Sequence, residues 1–165
     1  SEIETAINGK LYYLAIAVTL SLPDICAALE CEPSKVWVTE KKYISWCEAN
    51  LTGKVANVTG EDMYRLRGGV LHTGTLGHPK MRYDRIVFTF PGAPVRSHGQ
   101  IFEGAHGVRM LGLDVVTFCH GTINTVRAWY DQKGTDPNVM ANLPSIVRLR
   151  PKGLDAVLVG MPLIA

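Results

Sequence analysis

Two arginines and a histidine share one short run of the chain, Tyr64-Arg65-Leu66-Arg67-Gly68-Gly69-Val70-Leu71-His72. A histidine transfers protons near neutral pH. An arginine keeps its positive charge, and its planar guanidinium matches the shape of a phosphate. These residue types together could cut RNA by acid–base chemistry and charge stabilisation, without a metal ion.

The run is predicted to lie on a helix. Arg65 and His72 are then two turns apart and fall within about 20° of one another on the helix surface. Arg67 lies about 140° from His72, so within one chain it is expected to point away from it. Gly68 and Gly69 flank the line from Arg65 to His72 and leave the backbone bare. Because glycine costs about 1 kcal/mol inside a helix, two in succession indicate that another helix, a partner subunit or a ligand approaches closely.

Residues that could contact RNA lie around and after this run. Lys80, Arg82 and Arg85 could attract a phosphate backbone. Tyr64 could stack on an unpaired base. Each also has a structural interpretation, in which the three cations belong to a solvated loop and the tyrosine lies at the edge of the core.

The apolar pattern predicts a mainly α protein. Helices are expected over residues 3–29, from 35 or 39 to 51, from 59 to 74 or 77, and over 114–132. Pro23 should kink or restart the first of these helices. Short strands are expected near residues 85–90, 100–103 and 145–150, with loops over 91–107 and 134–144. The predicted fold is a bundle of four to five helices with a small β appendage, in a single domain spanning residues 1–165.

At Arg65, Arg67 and His72 the chain resembles the HEPN superfamily (higher eukaryotes and prokaryotes nucleotide-binding). These proteins are helical bundles marked by an arginine followed, after four to six residues, by a histidine. The resemblance implies a metal-independent endoribonuclease of a defence or toxin-type system, with RNA or a nucleotide as ligand. It also implies a homodimer in which two motifs face one cleft, and an antitoxin-like protein partner. His72 would act as general acid or base, and Arg67 or Arg65 would stabilise the phosphoryl transition state.

The motif departs from the family at one point. Many members carry a polar residue directly after the arginine, whereas Leu66 follows Arg65 here and Gly68 follows Arg67. This departure favours an alternative, in which the chain is a non-catalytic HEPN-like dimer that binds nucleotide, RNA or protein. His72 could then cap a helix end, and the arginines could form ordinary ion pairs. An unrelated helical scaffold is the third interpretation.

The composition of the chain limits the classes of protein to which it can belong. With 165 residues, 47% hydrophobic and 19% charged, the chain is long enough for one packed domain, and its net charge of +2 neither requires nor excludes a nucleic-acid partner. The four cysteines form no Cys-x-x-Cys pair, so no zinc site is expected, and no cofactor or other metal is expected. The uncharged run from Leu11 to Leu22 is too short to span a bilayer. A cytoplasmic protein without membrane association is therefore expected.

Overall fold

The computed structural model describes residues 1–154 and 157–165, and six α-helices dominate this part of the chain. They are α1 (Glu2–Asn8), α2 (Tyr12–Leu29), α3 (Glu40–Asn50), α4 (Gly60–Gly68), α5 (Val115–Lys133) and α6 (Pro137–Asn142). Helix α2 packs against α1, α3, α4, α5 and α6 and is the central helix of the fold. The prediction of a mainly α protein is confirmed.

The break in the N-terminal helical region lies before the predicted position. Helix α1 ends at Asn8, and the chain turns through Lys10, which has a left-handed φ of 58°. Helix α2 then continues through Pro23, so the predicted restart at Pro23 is wrong. Ser21 does not cap a new segment, because its hydroxyl donates to the carbonyl of Val18 at 2.7 Å, within the same helix.

Helices α3 and α4 each begin after a threonine that caps the first turn. The Thr39 side chain accepts a hydrogen bond from the Lys42 N–H at the start of α3. Thr59 and Asp62 form a reciprocal capping box at the start of α4.

Helix α4 ends at Gly68, and the next residues, Gly69–Thr73, form a wider π-helical turn that ends at Gly74 in the left-handed conformation. The functional motif therefore spans a change of helix type.

A three-stranded sheet contains β1 (Arg85–Thr89), β2 (Gln100–Glu103) and β3 (Arg109–Asp114). Strand β3 lies in the middle, parallel to β1 and antiparallel to β2, with Ile86 opposite Leu111. The sequence analysis did not predict β3. Ile86, Leu111 and Leu113 have no exposed surface, so the sheet is part of the core and not the appendage that the sequence suggested.

The C-terminal region differs most from expectation. The predicted loop over 134–144 contains α6, which begins at Pro137 after the side chain of Asp136 caps it. Of the strand predicted over 145–150, only β4 (Leu149–Arg150) forms, and it pairs with β7 (Leu163–Ile164). Strand β5 (Gly153–Leu154) pairs antiparallel with β6 (Leu158–Val159).

Helix α2 by length and composition could cross a membrane, since an 18-residue window has a mean hydropathy of 1.6. However, 44% of that window is buried inside the protein, and the core helix of a soluble protein has the same signature. Asp24 in α2 forms an ion pair with Arg67 of α4. Ala15, Thr19 and Leu20 have no exposed surface. We conclude that α2 is a core helix.

Candidate functional site

The two arginines and the histidine of the motif line one cleft of about 290 Å³, which we call the arginine–histidine cleft. Its lining residues are Tyr64, Arg65, Arg67, Gly68, Gly69, His72, Thr73, Thr75 and His78. They come from the last turns of α4, the π-helical turn and the loop that follows. The cleft is therefore built almost entirely by one continuous segment of the chain.

The π-helical turn changes which side chains share a face. A turn that closes with i→i+5 hydrogen bonds rotates the chain less per residue than an α-helix does. His72 lies within this turn, so its direction is not the one given by a regular α-helix. Arg67 and His72 nevertheless line the same cleft. Such π-helical turns recur at functional sites in other proteins.

Arg67 is held by one carboxylate and one aromatic ring. Its Nε lies 2.5 Å from Oδ2 of Asp24, and both side chains are about a quarter exposed, at 24% each. Its guanidinium carbon lies 5.8 Å from the centre of the Tyr43 ring. Among the described residues, the two terminal nitrogens of Arg67 form no recorded hydrogen bond. These contacts fix the guanidinium while leaving donors for a ligand.

Arg65 is paired more fully. Its Nη2 lies 2.6 Å from Glu40 and 3.7 Å from Glu61, and its side chain is 16% exposed. Its guanidinium carbon lies 5.2 Å from the centre of the Tyr64 ring. With two carboxylates beside it, Arg65 has less unbalanced charge than Arg67. The structure therefore favours Arg67 as the residue that could hold a phosphate.

His72 is exposed, and its side chain forms no hydrogen bond recorded within residues 1–154 or 157–165. The interpretation of His72 as a helix cap is therefore not supported. The turn that carries it is tied to α2 by Tyr13, whose hydroxyl donates to the carbonyl of Val70 at 2.6 Å. An exposed imidazole on an anchored backbone is accessible to a ligand in the cleft.

The adjacent glycines have different roles. A Cβ at Gly69 would lie 2.6 Å from the carbonyl oxygen of Thr75, because the loop folds back onto this residue. A Cβ at Gly68 would have nothing within 4 Å. The close approach predicted from the sequence is thus made by the chain's own loop at Gly69, while Gly68 opens onto the cleft.

This difference gives a paired prediction for stability. We expect Gly68→Ala to raise the free energy of unfolding by about 0.5–1 kcal/mol, because the residue is helical and alanine restricts the unfolded chain. We expect Gly69→Ala to lower it by about 1–3 kcal/mol, since the backbone of Thr75 would have to move. Urea denaturation of both variants measures these changes. Equal effects of Gly68→Ala and Gly69→Ala on the free energy of unfolding would contradict the different roles assigned to the two glycines.

The residues predicted to contact RNA are not equally available. Tyr64 lines the cleft, with its ring edge-on to Tyr43 at 5.6 Å. Arg82 is committed to the fold, because its Nε lies 2.7 Å from the buried Asp62. Arg85 is exposed and lines a neighbouring cavity of about 710 Å³. Lys80 is exposed on the same loop but does not line either space.

Sequence reasoning missed several residues around the cleft. Asp24 and Glu40 come from distant positions, and nothing local marks them as partners of the arginines. Thr75 and His78 also line the cleft. The small residues after His72 were the feature of the sequence that could have indicated Thr75 and His78. Among them, Gly74 allows the left-handed turn that brings the loop back to the cleft.

A second polar cluster lies at the start of α5. Asp114 caps this helix by accepting hydrogen bonds from the N–H and the hydroxyl of Thr117, and it pairs with Arg96 at 2.8 Å. Burial acts to raise the pKa of Asp114, but these contacts outweigh it and lower the pKa to about 2. Burial lowers the pKa of His98, and the charge of Asp114 partly offsets this shift. The contacts of the cluster are those of a helix cap.

The described residues contain no group of three or more histidine, cysteine, aspartate or glutamate side chains placed to hold a metal ion. Cys26, Cys31, Cys47 and Cys119 are all buried and unpaired within the described chain. Burial raises the pKa of Cys26 to about 12. This thiol is therefore unreactive.

No protein-family model matches the chain, and comparisons with curated proteins and with solved structures found no significant similarity.

Proposed function

We propose that this protein is a HEPN-like, metal-independent endoribonuclease of a defence or toxin-type system that acts in the cytoplasm. His72 is its general acid or base, and Arg67 stabilises the charge of the phosphoryl transition state. Arg65 has a secondary role, orienting the cleft through its contacts with Glu40 and Glu61. The helical bundle of α1 to α5 corresponds in this proposal to the HEPN bundle.

One observation carries the proposal. An exposed, unbound histidine and a fixed arginine with free donors line the same small cleft. Gly68 leaves its floor without a side chain. The arrangement offers a proton-transfer group and an anion-binding group around one cleft, and transesterification of RNA requires both kinds of group.

The reaction follows from these two groups. His72 removes the proton of a ribose 2′-hydroxyl, and the 2′-oxygen forms a bond to phosphorus. The bond between phosphorus and the 5′-oxygen breaks, and the leaving oxygen takes a proton from a second imidazolium. Arg67 donates hydrogen bonds to the non-bridging oxygens as negative charge develops on them. The products are a 2′,3′-cyclic phosphate and a 5′-hydroxyl.

A homodimer supplies the second imidazolium, from His72 of a second copy. Large apolar side chains are exposed near the turn that carries His72: Leu11 is 56% exposed, Tyr13 59% and Leu14 50%. Leu71, next to His72, is 40% exposed. Clusters of exposed apolar side chains of this kind mark surfaces that bind proteins. The same surface is where an antitoxin-like partner would block the site.

The non-catalytic alternative is favoured by a different observation. Both arginines are paired with carboxylates, Arg67 with Asp24 and Arg65 with Glu40 and Glu61. These pairs reduce the positive charge of the cleft and stabilise the fold by themselves. In that case the protein binds nucleotide, RNA or a protein partner without cutting it.

The test is cleavage of a mixed-sequence RNA by the purified protein in the presence of EDTA. The mass of the protein in solution is measured on the same preparation. Cutting that leaves 2′,3′-cyclic phosphate ends, by a protein with the mass of a dimer, supports the proposal. RNA that binds and stays intact at high protein concentration supports the alternative instead.

A further inference from the structure

Two spaces meet at His78. The arginine–histidine cleft lies on one side, and a cavity of about 710 Å³ lies on the other, which we call the loop cavity. The loop cavity is lined by residues 74–79 and 81–85. Thr75 and His78 line both spaces. A ligand that occupies both must therefore pass beside the imidazole of His78.

The imidazole of His78 has an assigned orientation. Its Nδ1 accepts a hydrogen bond from the backbone N–H of Lys80 at 3.1 Å. In the neutral ring the proton then lies on Nε2, so Nε2–H is a hydrogen-bond donor. His72 has no comparable constraint among the described residues. The two histidines thus differ in their contacts: within the described residues the side chain of His72 has no hydrogen-bond partner, whereas the ring of His78 is oriented to donate a hydrogen bond from Nε2–H.

Two arginines of the described chain line the loop cavity, Arg82 and Arg85, and they differ in their contacts. Arg82 is paired with the buried Asp62, but Arg85 is exposed and forms no ion pair or hydrogen bond recorded in the described part of the chain. The ring of Tyr83 is 3% exposed, and the guanidinium carbons of Arg82 and Arg109 lie 5.2 and 5.8 Å from its centre. It cannot serve as a stacking platform, so the cavity would hold its ligand by charge and hydrogen bonds.

The arginine–histidine cleft and the loop cavity differ in volume. The cleft has a volume of about 290 Å³ and the loop cavity one of about 710 Å³, which is typical of small-molecule sites. Because Thr75 and His78 line both spaces, a polynucleotide with one phosphate beside His72 has the loop cavity directly next to it for a neighbouring nucleotide.

We infer that the loop cavity binds the nucleotide adjacent to the phosphate that is cut, with His78 Nε2–H donating to a substrate oxygen and Arg85 contacting the next phosphate. This inference rests on the proposed function. His78 is then a positioning residue that affects substrate binding and not proton transfer. The substrate class is single-stranded RNA with at least one nucleotide and phosphate beyond the cut.

The test compares His78→Leu with His78→Gln, whose side-chain amide can replace the Nε2–H donor. For cleavage of a short single-stranded RNA, we expect His78→Leu to raise KM by about tenfold, the loss expected for one hydrogen bond to a phosphate. We expect His78→Gln to stay within about threefold of the native protein. The pH dependence of kcat should not change in either variant, because His72 sets it.

Arg85→Gln provides an independent measurement, since Arg85 is exposed and its replacement leaves the core intact. We expect it to weaken binding of a fluorescently labelled RNA and to reduce the salt dependence of that binding. His120→Gln, an exposed histidine on α5, is the matched control and should bind as the native protein does.

The outcomes distinguish the two proposals. If the native protein cuts RNA and neither His78→Leu nor Arg85→Gln changes KM or binding, the loop cavity is not a subsite and the nuclease proposal stands. If His78→Leu changes the pH dependence of kcat instead of KM, the positioning role is wrong. If RNA binds without being cut, and both variants weaken that binding, the subsite stands and the nuclease proposal fails.

Discussion

Replacing His72 with alanine is expected to lower the rate of RNA cleavage by about 10²- to 10⁴-fold, the usual contribution of a general acid or base. The side chain is exposed and makes no hydrogen bond recorded in the described residues. The free energy of unfolding should therefore change by less than about 0.5 kcal/mol. Initial rates in EDTA and urea denaturation of the same preparation measure the two effects.

His120→Ala is the control for this variant, because it removes another exposed imidazole from a helix far along the chain. It should cut RNA at the native rate. Cleavage that survives His72→Ala would mean that the activity comes from elsewhere on the protein or from a contaminant. If His72→Ala lost activity because the variant unfolded, the view that the His72 side chain does not contribute to stability would be wrong.

The local features of the fold could be predicted because they depend on neighbouring residues. Helices were predicted to begin at Thr59 and Asp114, and both side chains accept the backbone hydrogen bonds that cap α4 and α5. The first turns of α5 are also buried as a predicted core helix should be. Val115, Cys119 and Thr122 have no exposed surface.

Strand β3 could not be predicted in this way. Its sequence contains Gly112 and runs directly into α5, so no turn signal separates it from the helix and it lacks the β-branched and aromatic residues of a typical strand. It becomes a strand because β1 and β2 pair with it on both sides. Gly112 is required there, since a Cβ would collide with the side chains of Ser97 and Phe102, which cross over it.

In the candidate site, too, some features depend on neighbouring residues and could be predicted, whereas others depend on distant residues and could not. The residue types of the motif were visible in the sequence, but their directions depended on the π-helical turn. That turn accompanies the return of Thr75 to Gly69, where the N–H of Thr75 donates to the carbonyl of Gly69 at 3.0 Å. Asp24 and Glu40, the partners of the arginines from outside the motif helix, come from α2 and α3. A helix wheel contains none of this information.

The capping box of α4 also anchors the loop that forms the second cavity. Asp62 is 1% exposed and accepts hydrogen bonds from the hydroxyl of Thr59 at 2.9 Å and from the backbone N–H and Nε of Arg82 at 3.1 and 2.7 Å. Its carboxylate therefore connects the start of the motif helix with the loop beyond the cleft. This makes it the most consequential single side chain for the shape of the site.

We expect Asp62→Ala to lower the free energy of unfolding by about 2–4 kcal/mol, because it removes a helix cap and leaves buried donors of Thr59 and Arg82 without an acceptor. The value stays below that for a fully buried ion pair, since the side chain of Arg82 is 45% exposed and can be hydrated. Urea denaturation measures the change. Asp131→Ala, which removes an exposed carboxylate from α5, should change the stability by less than about 0.5 kcal/mol.

The same variant should alter the dependence of stability on pH. Burial acts to raise the pKa of Asp62, but the hydrogen bonds from Arg82 and Thr59 outweigh it, and the pKa lies below its usual value. A carboxyl group with a lowered pKa in the folded state stabilises the protein fully above its unfolded pKa of about 4, and that contribution is lost as the pH falls further. The native protein should therefore lose stability steeply below pH 4, and Asp62→Ala should lose less, with the remainder due to Asp114. Parallel acid curves for the two proteins would show that Asp62 is not ionised and bonded as the structure has it.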